Sequence, residues 1–168
     1  IPEHGVDRES PAAHAERLSR EKARFVAEDL PDSLVLAGDT VVVQRGVLLG
    51  KPKDAEDAVE MLLSLAGKSH QVISGLALAA PGHRIYSGFM TTEVTFRGFD
   101  EAFARRYAST GEPMDKAGAY GIQGLGGALV QGIRGDYHNV VGLPVPLLLD
   151  LFQEAGWRYD FRRLTPLD

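Results

Sequence analysis

Residues 36–53 read LAGDTVVVQRGVLLGKPK, and one acid inside this stretch governs how the rest of the chain is understood. Leu34-Val35-Leu36-Ala37 is an apolar run that predicts a buried strand, interrupted by Gly38-Asp39-Thr40 and resumed by Val41-Val42-Val43. Burying a carboxylate in so apolar a segment is costly unless something pairs with it. A metal, a lysine or a substrate proton would supply the compensation. Gln44-Arg45-Gly46 has the composition of a hairpin turn, which folds Val47-Leu48-Leu49 back beside Val41-Val42-Val43. Gly50-Lys51-Pro52 follows, so the returning strand carries Lys51 toward the neighbourhood of Asp39. A sheet-edge Asp with a solvated Lys is the plainer reading of the same spacing.

With 168 residues, 44% apolar and 24% charged, the chain predicts a single soluble domain with a sizeable core. No apolar run approaches the roughly 18 residues that cross a bilayer, and no secretory signal precedes the first helix, so no membrane association is expected. The absence of cysteine excludes disulfides, thiolate zinc sites and cysteine nucleophiles within this chain, and is compatible with a reducing cytoplasm. A net charge of −5 argues against a broad nucleic-acid surface. A small anion in a local pocket of Lys and Arg remains compatible with it.

Ser10-Pro11 is a helix start, Ser as N-cap and Pro at the first helical position, and the helix is expected to run to about Leu30. Leu18, Phe25 and Val26 form its expected apolar stripe. Lys22 is four residues from both Leu18 and Val26 and so shares that side, where it must snorkel or meet an anion. Asp54 caps a second helix that ends near Gly67, with Ala58, Met61, Leu62 and Leu65 facing the core. Residues 71–80 and 84–96 read as two strands joined by Pro81-Gly82, and in the second Thr92, Val94 and Phe96 alternate with Thr91, Glu93 and Thr95. A short helix follows from Asp100 to about Ser109. Another opens at Leu143-Pro144-Val145-Pro146, and an edge strand is expected over residues 157–163.

Residues 111–142, GEPMDKAGAYGIQGLGGALVQGIRGDYHNVVG, contain nine glycines in 32 positions, too many for a regular helix. Such density lets backbone amides approach a ligand or adopt positive φ, and it offers Asp115-Lys116 and Gln123 as polar groups. Tight turns around a strand over residues 127–133 are the structural alternative. Other motifs fail. Gly46 to Lys51 is one residue short of a P-loop, and Pro52 stands where a magnesium-binding Ser or Thr is needed. The glycines at 121, 124, 126 and 127 do not fit a dinucleotide fingerprint, and the five histidines lack zinc-ligand spacing.

Taken in order, several segments resemble the Maf family of nucleoside triphosphate pyrophosphatases. They are Arg17-Leu18 with Glu21-Lys22-Ala23, Gly38-Asp39-Thr40-Val41-Val42, Leu49-Gly50-Lys51-Pro52, Leu65-x-Gly67 with His70-Gln71-Val72, residues 111–124, and Gly135-Asp136-Tyr137-x-Asn139-Val140-Val141-Gly142-Leu143-Pro144. The resemblance implies an α/β fold of the inosine-triphosphatase-like kind, a long mixed sheet flanked by helices with a cleft between two lobes. It also implies a divalent cation, Mg²⁺ or Mn²⁺, a homodimer and a cytoplasmic location.

Under that resemblance Asp39 looks like the proton acceptor that activates water for attack between the α and β phosphates. Glu3, Lys22 and Lys51 match the remaining active-site carboxylate and lysines, with Glu3 and Asp39 suited to the cation and the lysines to phosphate oxygens. Thr40 and Gln123 match positions that read the base, and Lys116 joins them as a substrate contact. The Asp-Thr and Ile-Gln-Gly segments resemble the subfamily preferring dTTP and UTP. Inosine or xanthosine triphosphate hydrolysis, and a non-catalytic nucleotide-binding regulator of cell division, are the competing expectations. The family's opening S-x-S-P-R-R segment has no match here, so the reading expects a single Maf-like domain over residues 1–168 without the family's first strand and helix. The variant reading supplies those charges from Arg134 or Lys53.

Overall fold

The computed structural model describes residues 9–82 and 84–167. The helices are α1 (Pro11–Ala27), α2 (Ala55–Leu65), α3 (Glu101–Ala108), α4 (Tyr137–Val141) and α5 (Val145–Glu154). The strands are β1 (Val35–Gln44), β2 (Val47–Leu49), β3 (Ser69–Ala80), β4 (Arg84–Phe96), β5 (Val130–Arg134), β6 (Trp157–Tyr159) and β7 (Leu164–Pro166). Five strands form one sheet in the order β2-β1-β3-β4-β5, and β6 and β7 form a second sheet. The fold is α/β, as expected. Two compact units share it: one contains the described residues up to Asp39, Ser74–Met90 and the described residues from Gly142 onward, the other Thr40–Ile73 and Thr91–Val141.

In the first unit α1 starts as its sequence directs, with Ser10 Oγ accepting from the Ala13 amide at 3.2 Å and Pro11 at the first position. Its buried face agrees with the expected one only at Leu18. His14, Ala15, Leu18, Ser19, Ala23 and Ala27 are buried, whereas Phe25 and Val26 are 65% and 43% exposed. Close approach explains the reversal. A Cβ on Gly75 of β3 would collide with the Ala15 carbonyl, so the helix sits down on its small residues, a contact that no phenylalanine permits. Ala23 and Ala27 then pack with Val35, Ala77 and Ala79, while Leu76, Leu78 and Leu151 form a neighbouring cluster. In β1 Val35 is buried but Leu36 is exposed, so this end of the strand is half-buried and not fully buried as expected.

The expected edge strand is also corrected. Trp157–Tyr159 pairs with Leu164–Pro166 as a separate antiparallel hairpin and adds nothing to the large sheet. Asp160 turns the chain back on itself there, its Oδ1 accepting from the amides of Arg162 at 3.2 Å and Arg163 at 2.9 Å.

In the second unit the hairpin forms in the anticipated register, Val42 opposite Leu49, Val43 opposite Leu48 and Gln44 opposite Val47. Arg45 and Gly46 have φ of 50° and 81°, the positive values a two-residue type I′ turn requires. Asp54 and Asp100 cap α2 and α3, accepting from Asp57 N at 2.9 Å and Phe103 N at 2.8 Å. Leu62, Leu65, Val72, Val94, Phe96, Tyr107, Tyr120 and Leu129 form the core, and the alternation of β4 places Thr92, Val94 and Phe96 inside. The strand expected over residues 127–133 begins later. Residues Leu125–Leu129 make a 3₁₀ turn whose Leu125 and Gly126 amides donate to the Glu112 carboxylate, and the strand starts at Val130.

Candidate active site

The glycine-dense segment builds one wall of a cavity of about 490 Å³, within the range that holds a small-molecule ligand. Thr40, Val42 and Lys51 come from the β1–β2 hairpin and the chain just after it, and Val72 from β3. Glu112, Asp115, Lys116, Tyr120, Gln123 and Gly124 come from the glycine-dense turns, and Val140 and Val141 from α4. Gly118 has φ of +69° and lies against the Val42 side chain, where an added Cβ would be 2.9 Å from Cγ1. Close packing and positive φ there both demand glycine, and together they hold the 116–121 segment against the hairpin.

Of the residues expected to bind substrate, Thr40, Lys51, Lys116 and Gln123 all line this cavity. Lys116 Nζ donates to Asp115 Oδ1 at 2.6 Å. That hydrogen bond, joined by the charges of Lys116 and Lys51, holds the Asp115 carboxyl below the usual carboxylate range. Both partners are substantially exposed, and ion pairs in water are worth little, so an incoming phosphate competes easily for Lys116.

Asp39 is met in the first unit. Lys22 Nζ donates to Asp39 Oδ1 at 2.7 Å, with the Asp39 side chain 11% exposed and that of Lys22 31% exposed. A lysine is thus the partner found for the acid in the apolar strand, one of the three compensations anticipated. Lys22 does not share the face of Leu18 and the buried alanines completely. It stands at the margin of that face, where a long stem can bury carbon and still deliver its charge. Glu3 lies outside the described residues. Among the described residues no group of three or more His, Cys, Asp or Glu is arranged to hold a metal ion.

The cavity-lining acid Glu112, and three polar groups bonded to lining residues, carry no signal in the sequence. Glu112 Oε1 accepts from the Tyr107 hydroxyl at 2.8 Å and the Gly126 amide at 2.9 Å, and Oε2 accepts from the Leu125 amide at 2.8 Å. Burial tends to raise this carboxyl, but the two amides, the hydroxyl and the charge of Lys116 outweigh it and hold Glu112 below its ordinary value. Tyr107 is pushed up by burial and by its hydrogen bond to Glu112.

His70 is buried at 3% exposure, shares a 2.8 Å hydrogen bond between Nε2 and the Tyr120 hydroxyl, and packs edge-on to Phe96 and Tyr120. Burial lowers it to about 4, so it is neutral at pH 7. Buried Asn139 donates from Nδ2 to the Val72 carbonyl at 3.0 Å and to Thr92 Oγ1 at 2.9 Å, which fixes α4 and with it Val140 and Val141. No periodicity marks these groups. A polar residue in a strand or loop looks solvated until the fold surrounds it.

These features define an α/β protein with a ligand-sized cavity lined by two lysines, an amide-rich glycine turn and a Thr–Gln pair. The chain matches the Maf-like protein family over residues 1–155 and belongs to that family. It is 45% identical over 157 residues to the dTTP/UTP pyrophosphatase of Symbiobacterium thermophilum, covering 94% of this chain and 80% of that protein. To the dTTP/UTP pyrophosphatase of Desulfotalea psychrophila it is 46% identical over 151 residues, 89% of this chain and 77% of the relative. To that of Escherichia coli K12 it is 48% identical over 146 residues, 86% and 74% respectively. No helix among the described residues is long and apolar enough to cross a membrane.

Proposed function

We propose that the chain is a nucleoside triphosphate pyrophosphatase that hydrolyses dTTP, UTP and modified pyrimidine nucleotides to the monophosphate and pyrophosphate. The similarity to relatives of that name over most of both chains carries the reading, and the cavity lined by Thr40, Lys51, Lys116 and Gln123 supports it. Water attacks the α-phosphorus, the bond from that phosphorus to the β-phosphate oxygen breaks, and pyrophosphate leaves. Asp39 accepts the proton released by the water. Lys22 donates to that carboxylate at 2.7 Å and orients it for the role. Lys51 and Lys116 neutralise phosphate oxygens, and Thr40 and Gln123 contact the base. Most of the acceleration comes from positioning and charge neutralisation.

A divalent cation, Mg²⁺ or Mn²⁺, fits the donor chemistry. Mg²⁺ is commonly held by one or two carboxylates with the rest of its shell from substrate phosphates and water, and Asp39, with Glu3 as the second acid, is that kind of set. The ion would supply charge neutralisation at the phosphates. A homodimer acting in the cytoplasm completes the proposal.

Pyrophosphate release measured across a nucleotide panel tests the reading. Turnover of dTTP and UTP above ITP, XTP and GTP is the expected result, and preference for ITP or XTP overturns the substrate class. Nucleotide binding by calorimetry without any pyrophosphate release would assign the chain to a non-catalytic regulator. Lys51→Ala is expected to raise KM on the order of 10-fold with a smaller change in kcat, as loss of a charge-assisted phosphate contact does. An unchanged KM removes Lys51 from phosphate binding. Substitution of Gln123 or Thr40 is expected to shift the dTTP-to-GTP ratio more than it shifts the rate on dTTP, read from kcat/KM on both nucleotides.

A further inference from the structure

We propose that Glu112 is a positioning residue for the turn that carries Gln123, and that with Tyr107 it clamps that turn from both sides and so sets base selectivity. The inference rests on the reading of Gln123 as a base contact. Gln123 lies between two sets of anchored amides. On its N-terminal side the Gly121 amide donates to the Tyr107 hydroxyl at 3.3 Å. On its C-terminal side the Leu125 and Gly126 amides donate to the two oxygens of Glu112 at 2.8 Å and 2.9 Å. The Tyr107 hydroxyl donates to Glu112 Oε1 at 2.8 Å and joins the two anchors into one unit.

The turn approaches the acid closely. A Cβ on Gly124 would meet the Glu112 carboxylate, and one on Gly126 would lie 2.6 Å from the Gly121 carbonyl oxygen. The turn is therefore wrapped on the acid, with no side chain between them. Glu112 lines the same cavity as Gln123, yet three donors already engage its oxygens. A carboxylate so engaged is poorly placed to take a proton from water, and its negative charge repels a triphosphate. Its chemistry suits an internal anchor: a buried or half-buried acceptor that organises three otherwise unpaired donors.

Glu112→Gln keeps the volume but replaces one acceptor oxygen by a donor facing N–H or O–H groups. Expected are faster deuterium exchange at the Leu125 and Gly126 amides and a dTTP-over-GTP ratio in kcat/KM lowered on the order of 10-fold, carried by KM on dTTP and not by kcat. Tyr107→Phe removes the bridging hydroxyl and leaves the two amide bonds to the acid, so it is expected to shift the ratio in the same direction by less. An unchanged nucleotide ratio in a folded Glu112→Gln, or an equal loss of kcat on every nucleotide, overturns the proposal. Where Glu112→Gln does not fold, an unchanged ratio in Tyr107→Phe overturns it and a lowered one supports it. If the wild-type protein releases no pyrophosphate from any nucleotide, the enzymatic reading fails. The clamp is then judged by exchange at those two amides, and protection equal in wild type and variants overturns it.

Discussion

Asp39→Asn is expected to lower kcat on dTTP on the order of 10²- to 10⁴-fold while the folded state survives. The substitution preserves shape and removes the carboxylate oxygen proposed to take the proton from attacking water. Lys22 loses its 2.7 Å ionic partner, but its side chain is 31% exposed, so its charge is not stranded in a dry core. The circular dichroism spectrum should therefore match that of the wild type. Full activity in the Asn variant removes Asp39 from the role of proton acceptor.

The second large effect is on stability and comes from His70. Its folded pKa of about 4 lies below the ordinary value of 6.5 because burial disfavours the charged ring. The unfolded chain therefore binds a proton in a window where the folded chain does not. Stability is full above pH 6.5, falls as the pH drops from 6.5 toward 4, and is not lost further by this group below that. The window is worth on the order of 3 kcal/mol at 1.36 kcal/mol per pH unit. Urea unfolding at pH 7 and pH 5 measures the part of it least mixed with carboxylate titration. His70→Gln keeps a polar partner for the Tyr120 hydroxyl and cannot titrate. Its stability should depend on pH in this range by about 2 kcal/mol less than that of the wild type. Equal pH dependence in the two proteins would show that His70 does not remain neutral when folded.

Much of the fold is legible one segment at a time. Ser10-Pro11, Asp54 and Asp100 open their helices because an N-cap acts on an amide three residues away. Arg45-Gly46 turns its hairpin because two positive φ values match strand twist, and the register of β1 and β2 follows from that turn. The segments around Asp39, Lys51 and Gln123 are likewise visible as short patterns, and from them the family is recognisable in the sequence itself.

The buried face of α1 was legible only at Leu18. Hydrophobicity nominates Phe25 and Val26, whereas the helix buries alanines and a serine because Gly75 lets a strand backbone come close. That glycine is 60 positions from Ala15, and nothing near either residue announces the contact. Glu112 escaped for a related reason: its three donors come from Tyr107, Leu125 and Gly126, and an acid beside a proline in a glycine-rich stretch reads as solvated.

The chain's own order of residues is enough for its helices, its hairpin, its α/β class and its membership of a family, since each of these depends on neighbours a few positions apart. Folding was needed to pair Asp39 with a lysine 17 positions away, to enclose His70 with Tyr120 from 50 positions away, and to wrap the Gln123 turn on Glu112. Burial and pairing are sums over groups remote along the chain, so whether an acid is solvated, paired or an anchor is a property of the packed structure.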